Sequence, residues 1–403
     1  MGRSVGRGSD RPLRGAKPTP EGYDAVMESS KFGELSGRGH EEPQHAVRAV
    51  TLCTCALAHA AVDATCAALV FGAAASGRAT PQSAGALFLL YNVVAFASQP
   101  LFGLAVDRLA ALRAAAVVGG VMTALALPLS LVPGMVLAAT VMAGLGNGLF
   151  HVGGGAISIR VSPGRAWAPG LFVAPGAAGL VAGMLLGRAG GPLWIPTTLL
   201  LALSAGLLLV RIPSLHGTRE PSAPPRGAEF AIALVLVVIA LRSFTGLAIV
   251  LPWKSSVPLL GWLTAAVVAG KALGGVMADR FGRLRIGVGA LVISAPLLVA
   301  AYRSPVAGVL GMLAFNVTMA VTLVAVADAL PGQPAFAFGL ASFALVIGAL
   351  PVLLGMSVGL ATADAIVGAV GLAAVLLGLA LVWLDGGARV DSRCAPSVVE
   401  VSE

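Results

Sequence analysis

The chain has 403 residues, of which 57% are hydrophobic and 11% charged, with a mean hydropathy of +0.92. Soluble domains are usually about a quarter charged, so this composition excludes an ordinary water-soluble fold and points to a lipid bilayer. The net charge of +8 would suit nucleic acid if it were clustered, but its distribution along the chain reads as membrane topology instead, and no nucleic-acid partner is expected.

Residues 1–46 are polar and rich in Gly, Pro, Arg and Glu, with no apolar h-region. They read as a disordered tail without a cleavable signal peptide, and Met27 is an alternative start. Twelve apolar helical spans follow, at 47–73, 83–106, 110–132, 135–158, 166–187, 191–211, 228–252, 257–279, 284–302, 306–329, 335–358 and 363–384. The expected fold is therefore an all-α integral membrane protein of twelve transmembrane helices. A polar, Pro-rich linker at 212–227 divides it into six-helix bundles, 47–211 and 228–385, with a second tail at 386–403.

The first span carries His59 and Asp63 one turn apart on one face. Asp63 is the one acidic residue deep in a span, a placement that costs about 2.5–3.5 kcal/mol on insertion scales. It should face a cavity or a partner, where a carboxylate can take up and release a proton, with His59 tuning it. Cys55 and Cys66 share that face, which raises a metal reading. One helix alone cannot surround an ion, so no metal site and no cofactor are expected. Cys53, Cys55, Cys66 and Cys394 form no disulfide framework.

Gly103-Leu-Ala-Val-Asp107-Arg108, followed by Arg113, closes the second span. The same pattern returns as Gly275-Val-Met-Ala-Asp279-Arg280, followed by Arg285, after the eighth, 172 positions later. Each Asp ends a helix at the membrane surface, where it can accept from its neighbouring Arg and from the N-terminus of another helix. Asn147 in the fourth span matches Asn316 in the tenth, so the repeat runs through both halves, and parallel six-helix repeats place a binding site near the midplane between them. The fourth and fifth spans are Gly-rich, which suits close helix packing, with Asn147 and His151 as candidates for substrate contact.

Arg242 and Lys271 are the basic residues left inside spans. They are too deep to snorkel and are candidates to receive an anionic group such as a phosphonate, phosphate or carboxylate. Pairing with Asp63 is the alternative. The remaining Lys and Arg collect on the side of the two termini, while the opposite side has only Arg78, Arg188, Lys254 and Arg303. Both termini are therefore expected to be cytoplasmic.

The doubled Gly-x-x-x-Asp-Arg-x-x-x-x-Arg pattern among twelve spans resembles the major facilitator superfamily, over residues 47–385. A narrower resemblance is to its fosmidomycin-resistance branch. It rests on Ala58-His59-Ala60-Ala61-Val62-Asp63, Gln99-Pro100-Leu101-Phe102-Gly103, Gly144-Leu145-Gly146-Asn147-Gly148-Leu149-Phe150-His151 and Asp328-Ala329-Leu330-Pro331-Gly332. After His151 the chain has Val152 and Gly153 where that branch continues with Pro and an acidic residue. The resemblance implies alternating access in an inner (plasma) membrane, a proton gradient as driving force and a monomer.

The reading is then a proton-coupled efflux antiporter for a small anionic or amphiphilic, antibiotic-like molecule. An uptake symporter for an organic anion or a transition metal is the first alternative, and a non-transporting receptor or accessory protein the second. No acid/base pair, nucleophile triad or His-Glu-x-x-His motif suggests an enzyme.

Overall fold

The computed structural model describes residues 20–212, 224, 227–356 and 362–394, with side chains described within 46–386 apart from Pro81. The outer parts of the expected tails (1–19 and 395–403) and most of the expected linker lie outside the described residues. The helices are α1 (Pro20–Ala75), α2 (Pro81–Ala97), α3 (Gln99–Arg108), α4 (Leu112–Leu129), α5 (Val136–Val161), α6 (Trp167–Arg188) and α7 (Trp194–Leu209), then α8 (Ala228–Ala248), α9 (Val257–Phe281), α10 (Arg283–Ala300), α11 (Pro305–Ala329), α12 (Pro334–Leu353) and α13 (Ala363–Cys394). Among the described residues, 11 helical stretches are long and apolar enough to cross a membrane, and Trp194–Leu209 is a shorter apolar helix at the sixth expected span.

The spans follow the apolar runs, with local differences that have physical causes. The second span, Gln82–Arg108, is broken at Ser98 into α2 and α3, because Pro100 supplies no amide to the ladder there. The seventh span stops at Ala248, and Pro252–Ser255 form a 3-10 turn instead of a continuing helix. α1 begins at Pro20, so residues 20–46 are helical where the sequence suggests a disordered tail. Proline suits a first helical position, and Ala, Met, Glu, Lys and Leu in this stretch are good helix formers. The membrane-length part of α1 is Ala46–Ala75.

Small residues set how closely the helices approach. In α6, Gly176, Gly179, Gly183 and Gly187 line up at three- and four-residue spacing against α1. A Cβ on Gly179 or Gly183 would collide with the carbonyl oxygen of Ala60 or Ala64. Large apolar side chains such as Leu101, Trp194, Trp262 and Val292 point outward instead, as lipid-facing positions should. The same device joins the first six spans to the second six, twice. Gly103 of α3 and Gly339 of α12 each abut the other helix's backbone, and Gly275 of α9 and Gly170 of α6 do the same. No side chain could be added at any of the four without moving backbone.

Candidate functional site

The bare stripe of α6 brings Asp63 and His59 of α1 against Gly176, where any side chain would come within 2.5 Å of His59 Nε2 and 2.6 Å of Asp63 Oδ2. α5 supplies the rest. His151 Nε2 lies 2.9 Å from His59 Nε2 and 3.8 Å from Asp63 Oδ1, and His59 Nε2 lies 3.3 Å from Asp63 Oδ2. Asn147 Nδ2 sits 3.3 Å from Asp63 Oδ1 and 3.0 Å from the Tyr91 hydroxyl of α2. Both histidines are buried, and the Asp63 side chain is 18% exposed.

The outer nitrogens fix the chemistry of this cluster. His59 Nδ1 is 2.7 Å from the Phe172 carbonyl oxygen, and His151 Nδ1 is 2.9 Å from that of Asn147. A carbonyl can only accept, so each Nδ1 carries its hydrogen. In neutral imidazoles both Nε2 atoms are then lone pairs facing each other and a carboxylate. One proton added at either Nε2 turns that nitrogen into a donor to the other ring and into an ion-pair partner for Asp63. Phe172 stacks on His59 with ring centroids 4.7 Å apart, and Phe150 and Phe338 enclose the pair.

His59, Asp63 and His151 open onto a cavity of about 160 Å³ that is also lined by Lys271 of α9, Met319 and Thr322 of α11, and Ser342 of α12. A second cavity of about 340 Å³ holds Arg242, Asn316 and Asn92, and shares Phe96, Lys271, Met319 and Leu345 with the first. Lys271 thus stands where the two cavities meet. Its Nζ is 3.5 Å from the Val173 carbonyl oxygen, and neither it nor Arg242 has a carboxylate within ion-pairing distance among the described residues. The alternative in which one of them pairs with Asp63 is therefore not what the side chains adopt. Arg242 Nη2 donates to the Phe315 carbonyl at 3.1 Å and its guanidinium lies over the Phe315 ring, leaving Nε without a partner. Asn316 turns back to its own helix, with Nδ2 2.8 Å from the Met312 carbonyl.

At one end of the cavities the doubled motif forms two clamps. Asp107 accepts from the backbone amides of Ala335 and Phe336 at 3.1 and 2.8 Å, at the start of α12. Asp279 accepts from those of Ala166 and Trp167 at 2.8 and 2.9 Å, at the start of α6. Each carboxylate thus caps a helix of the opposite half, where free N–H groups and the helix dipole favour an anion. The neighbouring arginines do not join in as the sequence suggests. Among the described residues Arg108 and Arg280 make no ion pair with either Asp; Arg280 lies over Phe281. Arg113 Nη2 donates to the Val210 carbonyl at 2.8 Å, within its own half. Arg285 has no ion pair among the described residues.

Sequence reasoning passes over three contributors. Arg283 reaches Asp328 and the Gly164 carbonyl, which joins α10 to the loop before α6. Its signal is an arginine in the second motif copy where the first has Ala111. Tyr91 and Gly176 complete the carboxylate site, but their part in it depends on helix rotations that no local pattern records.

Among the described residues, 11 membrane-length apolar stretches and one shorter apolar helix, clamped across the interface and enclosing polar cavities, have the fold seen in major facilitator superfamily transporters. Solved structures carry the likeness, and for the two described next, at 12% identity, it is one of fold. One is a crystal structure of the major facilitator superfamily transporter FucP in the outward conformation, with a TM-score of 0.65, covering 83% of this chain and 97% of that one. The other is a single-substitution variant of the E. coli fucose:proton symporter FucP, with a TM-score of 0.60, covering 85% of this chain and 98% of that one. No family model matches the sequence, and no curated protein does.

Proposed function

We propose that the protein is a proton-coupled secondary transporter for a small anionic or amphiphilic molecule, working by alternating access in the inner (plasma) membrane as a monomer. The observation that carries the reading is the Asp63–His59–His151 cluster, which opens into the same cavity as the carboxylate-free Lys271. A protonatable acidic group and a cation lining one cavity are the two parts a proton/anion exchange needs. Lys271 and Arg242 receive the anion, with Asn316, Asn147 and His151 as further contacts. Asp63 with His59 carries the proton. The clamps at Asp107 and Asp279, taken as the cytoplasmic ends of their helices with both chain termini on that side, hold that side shut until the halves rock.

Export of an antibiotic-like compound is the favoured direction, on the resemblance to the fosmidomycin-resistance branch. Uptake is the second reading, and the fold likeness to a fucose:proton symporter makes it worth testing. Growth of a pump-deleted bacterium on a panel of toxic anions and amphiphiles, expressing wild type or Asp63→Asn, tests the proposal. Protection by wild type and none by the variant supports proton-coupled export. Sensitisation by wild type supports uptake. Equal protection by both removes Asp63 as the carrier. Inverted vesicles then read the direction directly.

A further inference from the structure

We propose that His59, His151 and Asp63 form a binding site for a divalent first-row transition-metal ion, with zinc as the type case. This goes beyond the anion-transport reading and does not rest on it. Cysteine-bearing α1 alone cannot surround an ion; what changes the case is α5, which brings a second imidazole across the helix interface.

Three features point the same way. The first is convergence: the two Nε2 atoms lie 2.9 Å apart, that of His59 lies 3.3 Å from Asp63 Oδ2 and that of His151 3.8 Å from Asp63 Oδ1, and one ligand atom from each of the three residues lies within 4.8 Å of the others. Ligands at ~2.1 Å in tetrahedral geometry sit about 3.4 Å from one another, so the imidazoles need to part by about half an ångström and the carboxylate to turn one oxygen toward both. The second is the outer shell. Each imidazole directs Nδ1 at a backbone carbonyl, those of Phe172 and Asn147, which fixes the Nε2 lone pair inward. That is the arrangement metal-binding histidines use to set tautomer and ring orientation. The third is unsatisfied capacity. Three acceptors face one another with only the Asn147 amide as a donor, and Asn147 Oδ1, buried beside them, has no hydrogen-bond partner.

Three protein ligands leave one position open, and all three residues line the cavity. Such a site holds its ion with a water or a substrate group in the fourth place. Two imidazoles and one carboxylate favour zinc, copper, nickel or cobalt over magnesium or calcium, which prefer all-oxygen shells. Cys66 is not part of the set: its Sγ lies 3.9 Å from the Ala143 carbonyl oxygen and from Asn147 Nδ2.

The test uses the full chain, free of any affinity tag, in lipid nanodiscs. Co²⁺ is titrated as the visible-absorption probe and then displaced by Zn²⁺. One tetrahedral Co²⁺ per chain is expected, displaced by Zn²⁺ and not by Mg²⁺. His151→Gln and Asp63→Asn should each weaken it by about 100-fold or more, at least the loss seen when an outer-shell partner is removed. The triple variant His40→Ala, His45→Ala, His216→Ala removes the chain's other histidines and should leave it unchanged. A folded wild type without an equimolar Co²⁺ spectrum overturns the proposal. So does a spectrum that survives His151→Gln and Asp63→Asn, or one lost in the triple variant. Should the ligand variants fail to fold, X-ray absorption on the wild-type zinc complex decides: two imidazoles support the site and fewer overturn it. Because no flux is measured, a negative result leaves the transport proposal standing, and a failed transport assay leaves this one standing.

Discussion

In the first six spans Asp107 caps the start of α12, and in the second six Asp279 caps the start of α6. Gly103 faces Gly339's helix as Gly275 faces Gly170's. Away from this end the likeness stops. The first half carries a carboxylate, two imidazoles and an amide in mutual contact, while the second carries Arg242, Lys271 and an Asn316 turned back on its own helix. Docking geometry is thus duplicated and polar chemistry is divided. A repeat constrains how two helices approach, since that depends on glycines and a capping carboxylate. It does not constrain which charges line the space between, so the acid and the cations can be separated across it.

The sharpest way to break the comparison is Asp63→Asn against Lys271→Gln. Asp63→Asn should abolish transport against a gradient while leaving downhill exchange. Lys271→Gln should keep proton-driven transport but weaken an anionic substrate by at least about tenfold, a loss of ~1.4 kcal/mol. Kinetics in proteoliposomes with an imposed pH step separate the two; equal loss of both properties in both variants would erase the division of labour.

Next in size, Gly176→Leu should drive α1 from α6, since even a Cβ comes within 2.5 Å of His59. Overpacking of this kind costs about 1–3 kcal/mol, and a lowered Tm in detergent reads it. The clamps should respond as a matched pair. Asp107→Asn and Asp279→Asn each weaken two charge-assisted hydrogen bonds, which are worth about 1.5–3 kcal/mol apiece at full strength. Both should cut transport equally without lowering expression, and normal transport in either would refute gating. Arg283→Ala should give the smallest change, under about 1 kcal/mol, because its pair with Asp328 is partly exposed. It also sharpens the comparison, since Ala111 in the first half leaves nothing equivalent to remove.

Much of this is legible in the sequence for identifiable reasons. Span positions follow apolar run length, which the bilayer sets directly. The clamp carboxylates stand out because Asp107 and Asp279 repeat in register, and Asp63 because a lone acid deep in a span needs a reason. The partners are half legible. A helix N-terminus is expected to meet each aspartate and does, but Arg108 and Arg280 look like equal companions and, among the described residues, make no pair with it, because the amides at the starts of α6 and α12 already offer several aimed donors to one carboxylate. His151 is visible as a polar residue in a span, but its meeting with His59 depends on how far α5 and α1 rotate toward each other. The glycines that seat α1 against α6 and α5 against α4 give only a general sign of close packing.

The most direct test of the central claim is substrate-driven proton movement into pH-dye-loaded proteoliposomes, comparing wild type with Asp63→Asn at matched reconstitution. The account predicts a substrate-dependent pH change with wild type and none with the variant. A variant that moves protons and substrate together, with the pH dependence of wild type, would contradict it.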